Sequence, residues 1–190
     1  MKNIFMVLVC LVVSFSFSAQ ASREKDSHEH GAANVMLAME GEKLQLNFEV
    51  PSESLIGFEH FPKSQDQRWY FNEAIKTLLE PSKLFSIPAD AECLLVGINV
   101  SQSLFAAKDE HGHEEKDEHG HDESDKSEIH SEFSSKYHWN CEHLDEIDSI
   151  GTQLMNIFPR IEEIRVRWIT KNNQGSIELE SKDDRIKGWK

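Results

Sequence analysis

Residues 109–124 read "DEHGHEEKDEHGHDES" and contain eight carboxylates, four histidines and no apolar side chain. A segment with nothing to bury cannot offset the entropy lost on ordering, so it cannot join a hydrophobic core. We therefore predict that residues 108–131, the His-rich segment, form a long flexible loop. The folded part of the chain has to be built from the sequence on either side of it.

The same segment has the composition of a metal-binding tract. An eight-residue unit occurs twice, and each copy holds two histidines separated by one glycine. Imidazole and carboxylate groups are ligands that zinc prefers, and glycine lets the backbone bend so that both rings reach one ion. A solvated acidic spacer is the alternative, but paired histidines at a fixed period favour a metal-binding role. The candidate ligands are His111, His113, His119 and His121.

The first 21 residues have the organisation of a secretory signal peptide. Lys2 is followed by an apolar run over residues 4–17 and then by Ser18-Ala19-Gln20-Ala21, an A-x-A cleavage site. The run is about 14 residues long, short of the ~20 that a membrane-spanning helix needs. We expect cleavage after Ala21, an exported protein with no membrane span, and one domain over residues 22–190.

Charge and cysteine content restrict the function further. The full chain has a net charge of −14, which repels nucleic acid and attracts cations. Outside the signal peptide only Cys93 and Cys141 remain, and no C-x-x-C arrangement occurs. In an oxidising compartment such a pair predicts a structural disulfide.

Hydrophobic periodicity predicts an α+β domain with a largely antiparallel sheet of hairpins and two main helices. We expect three hairpins: one before the first helix, one after it, and one near the carboxyl end. The pattern indicates strands around 35–39, 44–50, 92–106, 131–141, 164–168 and 177–179, a helix from Asp66 to Leu78, a second helix from Asp145 or Asp148 to Phe158, core positions for Trp69, Tyr70 and Phe71, and a tail from Lys182 to Lys190.

If the strands at 92–106 and 131–141 pair, the His-rich segment is the tip of their hairpin. Cys93 and Cys141 then lie near its base, and a bulge or an irregular loop end must absorb their unequal distances from the tip.

Further metal-ligand candidates lie outside the repeat. His28 and His30 stand in "HEHG" before the first strand, and Glu59 and His60 stand in "GFEHFP" after the second. His138 falls on the polar face of its strand, and His143 follows Cys141, so either could complete a site.

Several of these pieces together resemble the ZrgA family of periplasmic zinc-uptake proteins. The resemblance rests on "HEHG" (28–31), on "EGEKLQLNFEVPSESLIGFEHFP" (40–62), on the His-rich insert and on "FSSKYHWNC" (133–141), and it covers nearly the whole chain after the signal peptide. It implies a protein that binds Zn²⁺ in the periplasm and assists a high-affinity zinc importer.

An enzyme and a metal storage or resistance protein are the two alternatives to zinc capture. A zinc hydrolase would require a pattern such as H-E-x-x-H or H-x-x-E-H, and neither occurs, so we predict that the protein is not an enzyme. Storage of, or resistance to, zinc, nickel or copper(II) would use the same ligands and stays open, because imidazole suits all three metals.

Overall fold

The computed structural model describes residues 30–104 and 131–190. Fifteen elements follow one another in these two stretches. In chain order they are β1 (Ala32–Glu40), β2 (Lys43–Pro51), α1 (Ser52–Ile56), α2 (Gln65–Leu78), α3 (Pro81–Leu84), β3 (Phe85–Ser86), a 3-10 turn (Ala89–Ala91), β4 (Cys93–Gln102), β5 (Glu132–Cys141), a second 3-10 turn (Leu144–Glu146), β6 (Ser149–Thr152), α4 (Leu154–Ile157), β7 (Glu163–Thr170), β8 (Gln174–Leu179) and β9 (Arg185–Lys187). None of the described helices is long and apolar enough to cross a membrane.

The strands form a six-stranded sheet in the order β4-β5-β2-β1-β7-β8 and a three-stranded sheet in the order β3-β6-β9. Every neighbouring pair is antiparallel except β1 and β7, which run parallel. The α+β class with a largely antiparallel sheet is therefore confirmed.

Alternation along the central strands decides which face of the large sheet is buried. In β2, Leu44, Leu46 and Phe48 are at most 1 % exposed, while the residues between them are exposed or half-buried. Successive side chains of a strand point to opposite faces, so the apolar set lies on one face and packs into the core. The other face of β2 carries the polar set.

The hairpin on either side of the His-rich segment is also confirmed. Strands β4 and β5 pair antiparallel, with a register shift between Leu95 and Gly97. Cys93 lies opposite Cys141, and the two form a disulfide. Strand β4 is an edge strand of the sheet, because it has no neighbour on its outer side among the described strands.

Helix α2 begins slightly earlier than predicted and presents a narrower buried face. Its N-cap is Ser64 rather than Asp66, because the Ser64 hydroxyl accepts from the Gln67 backbone N–H and the Gln67 side chain accepts from the Ser64 N–H, which forms a capping box. Core positions for Trp69 and Tyr70 were a wrong prediction, since these residues are 58 % and 53 % exposed. The helix packs on the sheet through the Ala74 and Leu78 side, which turns the two rings outward.

The long helix predicted between Asp145 and Phe158 is replaced by a 3-10 turn, strand β6 and the four-residue helix α4. The four apolar residues that suggested it are all buried: Ile147, Ile150, Leu154 and Phe158. Pairing of β6 with both β3 and β9 explains the difference, because it satisfies the backbone in an extended form.

The segment from Lys182 to Lys190 is part of the fold, so its prediction as a tail was wrong. Strand β9 lies within it, and Trp189 is 8 % exposed. The Trp189 indole N–H donates to the Ile147 carbonyl at 2.7 Å, and its ring packs edge-on against Trp168 with centroids 6.3 Å apart. One buried tryptophan near the end of a polar stretch gives too little periodicity to be recognised from sequence.

Candidate metal centre

His30 enters the fold through a turn that is fixed at Gly31. The Gly31 N–H donates to the buried Ser54 hydroxyl at 2.8 Å, and the Gly31 carbonyl accepts from the backbone N–H groups of Glu162 and Glu163 at 2.8 and 3.1 Å. Gly31 has φ +88°, a conformation that L side chains rarely adopt. The glycine of "HEHG" therefore holds the residue before it at a defined place beside the start of β1.

Glu59 reaches the same place from the other end of the first hairpin. Helix α1 ends at Gly57 with φ +86°, and the chain then turns through the buried Phe58. The Glu59 carbonyl accepts a hydrogen bond from the Ser131 hydroxyl at 3.2 Å. Its carboxylate Oε1 lies 3.6 Å from Nε2 of His30, and the Glu59 side chain is 19 % exposed. An imidazole from one motif and a carboxylate from the other are thus brought together.

His60 is held so that one ring nitrogen stays free for a ligand role. Its ring stacks on Phe58 with centroids 5.2 Å apart, and Nδ1 lies 2.9 Å from the Phe61 carbonyl oxygen. A carbonyl oxygen only accepts, so in the tautomer that makes this hydrogen bond Nδ1 donates and Nε2 is the nitrogen that can bind a metal. This is the arrangement of a metal-binding histidine, whose other nitrogen donates to a carbonyl or carboxylate.

The remaining candidates lie elsewhere. His138 occupies the middle of β5, opposite Gln45 of β2, with Gly97 of β4 against its ring. His143 lies beyond the far end of β5, with Nε2 3.9 Å from Oε2 of Glu92. The candidates outside the described residues are His28, His111, His113, His119 and His121.

Three metal-binding side chains lie together beyond the far end of β5. Within residues 30–104 and 131–190, the group in which three donor atoms all lie within 4.8 Å of one another is Glu92, Glu142 and His143. His30 and Glu59 form a pair that His60 does not complete at this spacing. Sequence reasoning did not single out Glu92, although its position before Cys93, bridged to Cys141, was the clue to its proximity to His143.

Both ends of the undescribed stretch 105–130 attach beside Glu59. The backbone N–H of Ser103 donates to the Glu132 carbonyl at 3.0 Å, and the Glu132 N–H donates to the Ser103 hydroxyl at 2.8 Å. Ser131 accepts at its carbonyl from the Ser52 N–H at 2.8 Å, in addition to its bond to Glu59. The described chain on both sides of residues 105–130 therefore lies at the same end of the sheet as His30 and Glu59.

The paired donors are suited to a divalent transition metal. Zinc in proteins is held by histidine nitrogens and carboxylate oxygens, usually four ligands in a tetrahedron. His30 and Glu59 supply two of them. His60, the residue after Glu59, offers a third through its Nε2 atom. The chemistry of this end of the sheet therefore fits zinc, with further ligands required.

Comparison with known proteins gives an independent indication of the same metal. No curated protein sequence matched the chain. The model of one family, described as "ZrgA family zinc uptake protein", matches residues 27–188. The matched stretch contains both motifs of the His30–Glu59 pair, the whole described structure up to Gly188 and the His-rich segment. The chain therefore belongs to the ZrgA family of zinc uptake proteins.

Proposed function

We propose that this protein captures Zn²⁺ in the periplasm and assists its uptake by a high-affinity importer. Membership of a zinc uptake family supports the metal and the general role. The observation that carries the proposal to particular residues is the approach of His30 Nε2 to Glu59 Oε1 at 3.6 Å. These side chains are 29 residues apart in sequence. They meet at the open end of the β1–β2 hairpin, where His30 precedes β1 and Glu59 follows β2.

The proposed tight site adds two histidines to this pair. His28 is two residues before His30, and two residues of extended chain span at most about 7 Å, so its ring can reach an ion held by His30. His60 offers Nε2 in the tautomer that donates from Nδ1 to the Phe61 carbonyl, and the ring has to move toward Glu59 to join the site. The resulting set of three imidazoles and one carboxylate is a zinc-type tetrahedron.

The His-rich segment is proposed to collect zinc more loosely. A flexible chain loses conformational entropy each time it wraps an ion, whereas His30 and Glu59 are positioned by the folded sheet. Because residues 104 and 131 lie at the same end of the sheet as Glu59, an ion bound on His111, His113, His119 or His121 is kept close to the tight site. This tethering raises the local zinc concentration there.

Export and partner choice complete the proposal. The signal peptide at residues 1–21 supports a periplasmic location, and the strongly acidic chain favours cations over nucleic acid. A zinc importer or its periplasmic binding protein is the expected recipient of the metal. A storage or resistance protein for zinc, nickel or copper(II) is the alternative, and it would hold many ions without delivering them.

The experiment compares zinc binding by four forms of the mature protein, residues 22–190. Deletion of residues 109–124 should reduce the number of ions bound and leave one high-affinity site. His60→Ala should weaken that site at least 10-fold, which is the usual size of the loss when a zinc ligand or its support is removed. His138→Ala is the matched control, because His138 lies mid-sheet, and it should leave the tight site unchanged.

Two results would overturn the assignment. Loss of all tight binding on deletion of residues 109–124 would make the repeat itself the principal site. Equal affinity in the His60→Ala variant and the parent would remove His60 from the ligand set. Transfer of zinc to a purified importer binding protein separates uptake from storage, since a storage protein retains its ions under the same conditions.

A further inference from the structure

The far end of the β4–β5 hairpin carries a second group of metal-binding side chains. Donor atoms of Glu92, Glu142 and His143 lie within 4.8 Å of one another, and all three residues are exposed. Strand β5 separates this group from Ser131, and ten residues of strand span about 33 Å. We infer that Glu92, Glu142 and His143 form a second divalent-cation site, independent of the site proposed around His30 and Glu59.

The donor set is suited to zinc rather than to a hard cation. One imidazole nitrogen and two carboxylate oxygens match the mixed ligands of open zinc sites, which keep a position for water or for another molecule. Calcium and magnesium prefer oxygen ligands alone. Exposure of the His143 and Glu92 side chains, at 56 % and 60 %, leaves the fourth position of a tetrahedral ion open to water.

The spacing of the donors is close to what a bound ion requires. Ligands at about 2.1 Å from a tetrahedral zinc lie about 3.4 Å from one another. His143 Nε2 is 3.9 Å from Glu92 Oε2, too far for a hydrogen bond between them. Rotamer adjustments that move each donor by about 1 Å therefore suffice to close the group around an ion, and exposed side chains can make them freely.

The backbone holds the three residues in register. Glu142 N–H donates to the Glu92 carbonyl at 3.4 Å, and His143 N–H donates to the Ala91 carbonyl at 3.2 Å. The disulfide joins the residue after Glu92 to the residue before Glu142. Both sides of the group are thereby tied across the two strands, so the entropy of bringing its two halves together is already lost when the protein folds.

Two carboxylates held this close also repel each other when no cation is present. A divalent ion removes that repulsion, and it has no competing positive partner within the group. We expect this site to bind a divalent ion more weakly than a site with four protein ligands does. We expect it to bind the ion more tightly than a single exposed carboxylate does.

The test is a Zn²⁺ titration of the mature protein followed by nuclear magnetic resonance of histidine rings labelled with ¹⁵N, with the His143 signals assigned from a His143→Gln variant. We expect the His143 nitrogen signals to shift saturably with zinc. Glu92→Gln and Glu142→Gln should each weaken that response at least 10-fold. Glu146→Gln removes one nearby exposed charge outside the group, and it should change the response less than 2-fold.

The outcomes are separable from those of the proposed function, because His30 and His60 give their own signals in the same spectra. His143 signals that do not move up to millimolar zinc would overturn the inference, whatever the other histidines do. Equal weakening by Glu92→Gln and Glu146→Gln would also overturn it, since a general charge effect would then explain the response. Responses of His143 with silent His30 and His60 would keep this site and refute the proposed one.

Discussion

Removing the bridge between Cys93 and Cys141 should destabilise the folded protein by about 4 kcal/mol. The two cysteines are 48 residues apart in sequence. Cross-linking a chain over n residues lowers the entropy of the unfolded state by about 2.1 + 1.5R ln n cal/mol/K, which for n near 48 comes to ~14 cal/mol/K, or ~4 kcal/mol at 25 °C. The His-rich segment makes up about half of this loop, so the bridge restricts a large part of the unfolded chain.

The assay is urea unfolding of the oxidised mature protein, of the same protein reduced with dithiothreitol, and of the Cys93→Ala/Cys141→Ala variant. The reduced protein isolates the cross-link, because it keeps both side chains. The double alanine variant should lose somewhat more, since Cys141 is 1 % exposed and its packing is lost too. A difference below 1 kcal/mol between oxidised and reduced protein would refute the reasoning from chain entropy.

Two buried aromatic residues give further predictions. The Tyr137 hydroxyl donates to the Leu78 carbonyl at 2.8 Å, so Tyr137→Phe should cost about 1–2 kcal/mol at pH 7 in urea unfolding. Burial raises the pKa of Tyr137 from 10.0 to about 12, so the folded state keeps a proton that the unfolded state releases above pH 10. Tyr137 should therefore lose about 1 kcal/mol of its stabilisation between pH 10 and 11, and a Phe variant with the same pH dependence as the parent would contradict this. Trp189→Ala should cost about 3–5 kcal/mol, and Trp189→Phe should lose less because it removes mainly the N–H bond to Ile147; an unchanged melting temperature in both would place Trp189 outside the core.

The parts of the fold that sequence predicted correctly are those where one local pattern decides the outcome. The first hairpin alternates apolar and polar residues on both sides of Gly41, and only one register buries Leu44, Leu46 and Phe48 together. The disulfide was predicted from the two cysteines that lie outside residues 1–21, each near the end of a predicted strand.

The errors arose where tertiary pairing overrode local periodicity. Residues 147–158 have helical spacing of apolar side chains, but β6 pairs with two strands that are remote in sequence, and this pairing selects an extended backbone. The parallel pairing of β1 with β7 is likewise a contact between distant segments that no local pattern records.

The candidate metal centre shows the same division. The motifs identified His30 and Glu59 as ligand types, but only the fold shows that they meet, because Gly31 and Ser131 fix the two ends of the hairpin together. The proximity of Glu92 to His143 depends on the register of the β4–β5 pair and its bulge.

The most direct test of the central claim is anomalous diffraction at the zinc absorption edge, from crystals of the mature protein grown with one equivalent of Zn²⁺. The proposed function predicts one strong peak about 2.0–2.2 Å from a ring nitrogen of His30 and from a carboxylate oxygen of Glu59, with His28 and His60 turned toward it. A principal peak elsewhere, with His30 and Glu59 both unligated, would contradict the proposal that the tight site is built on the folded domain.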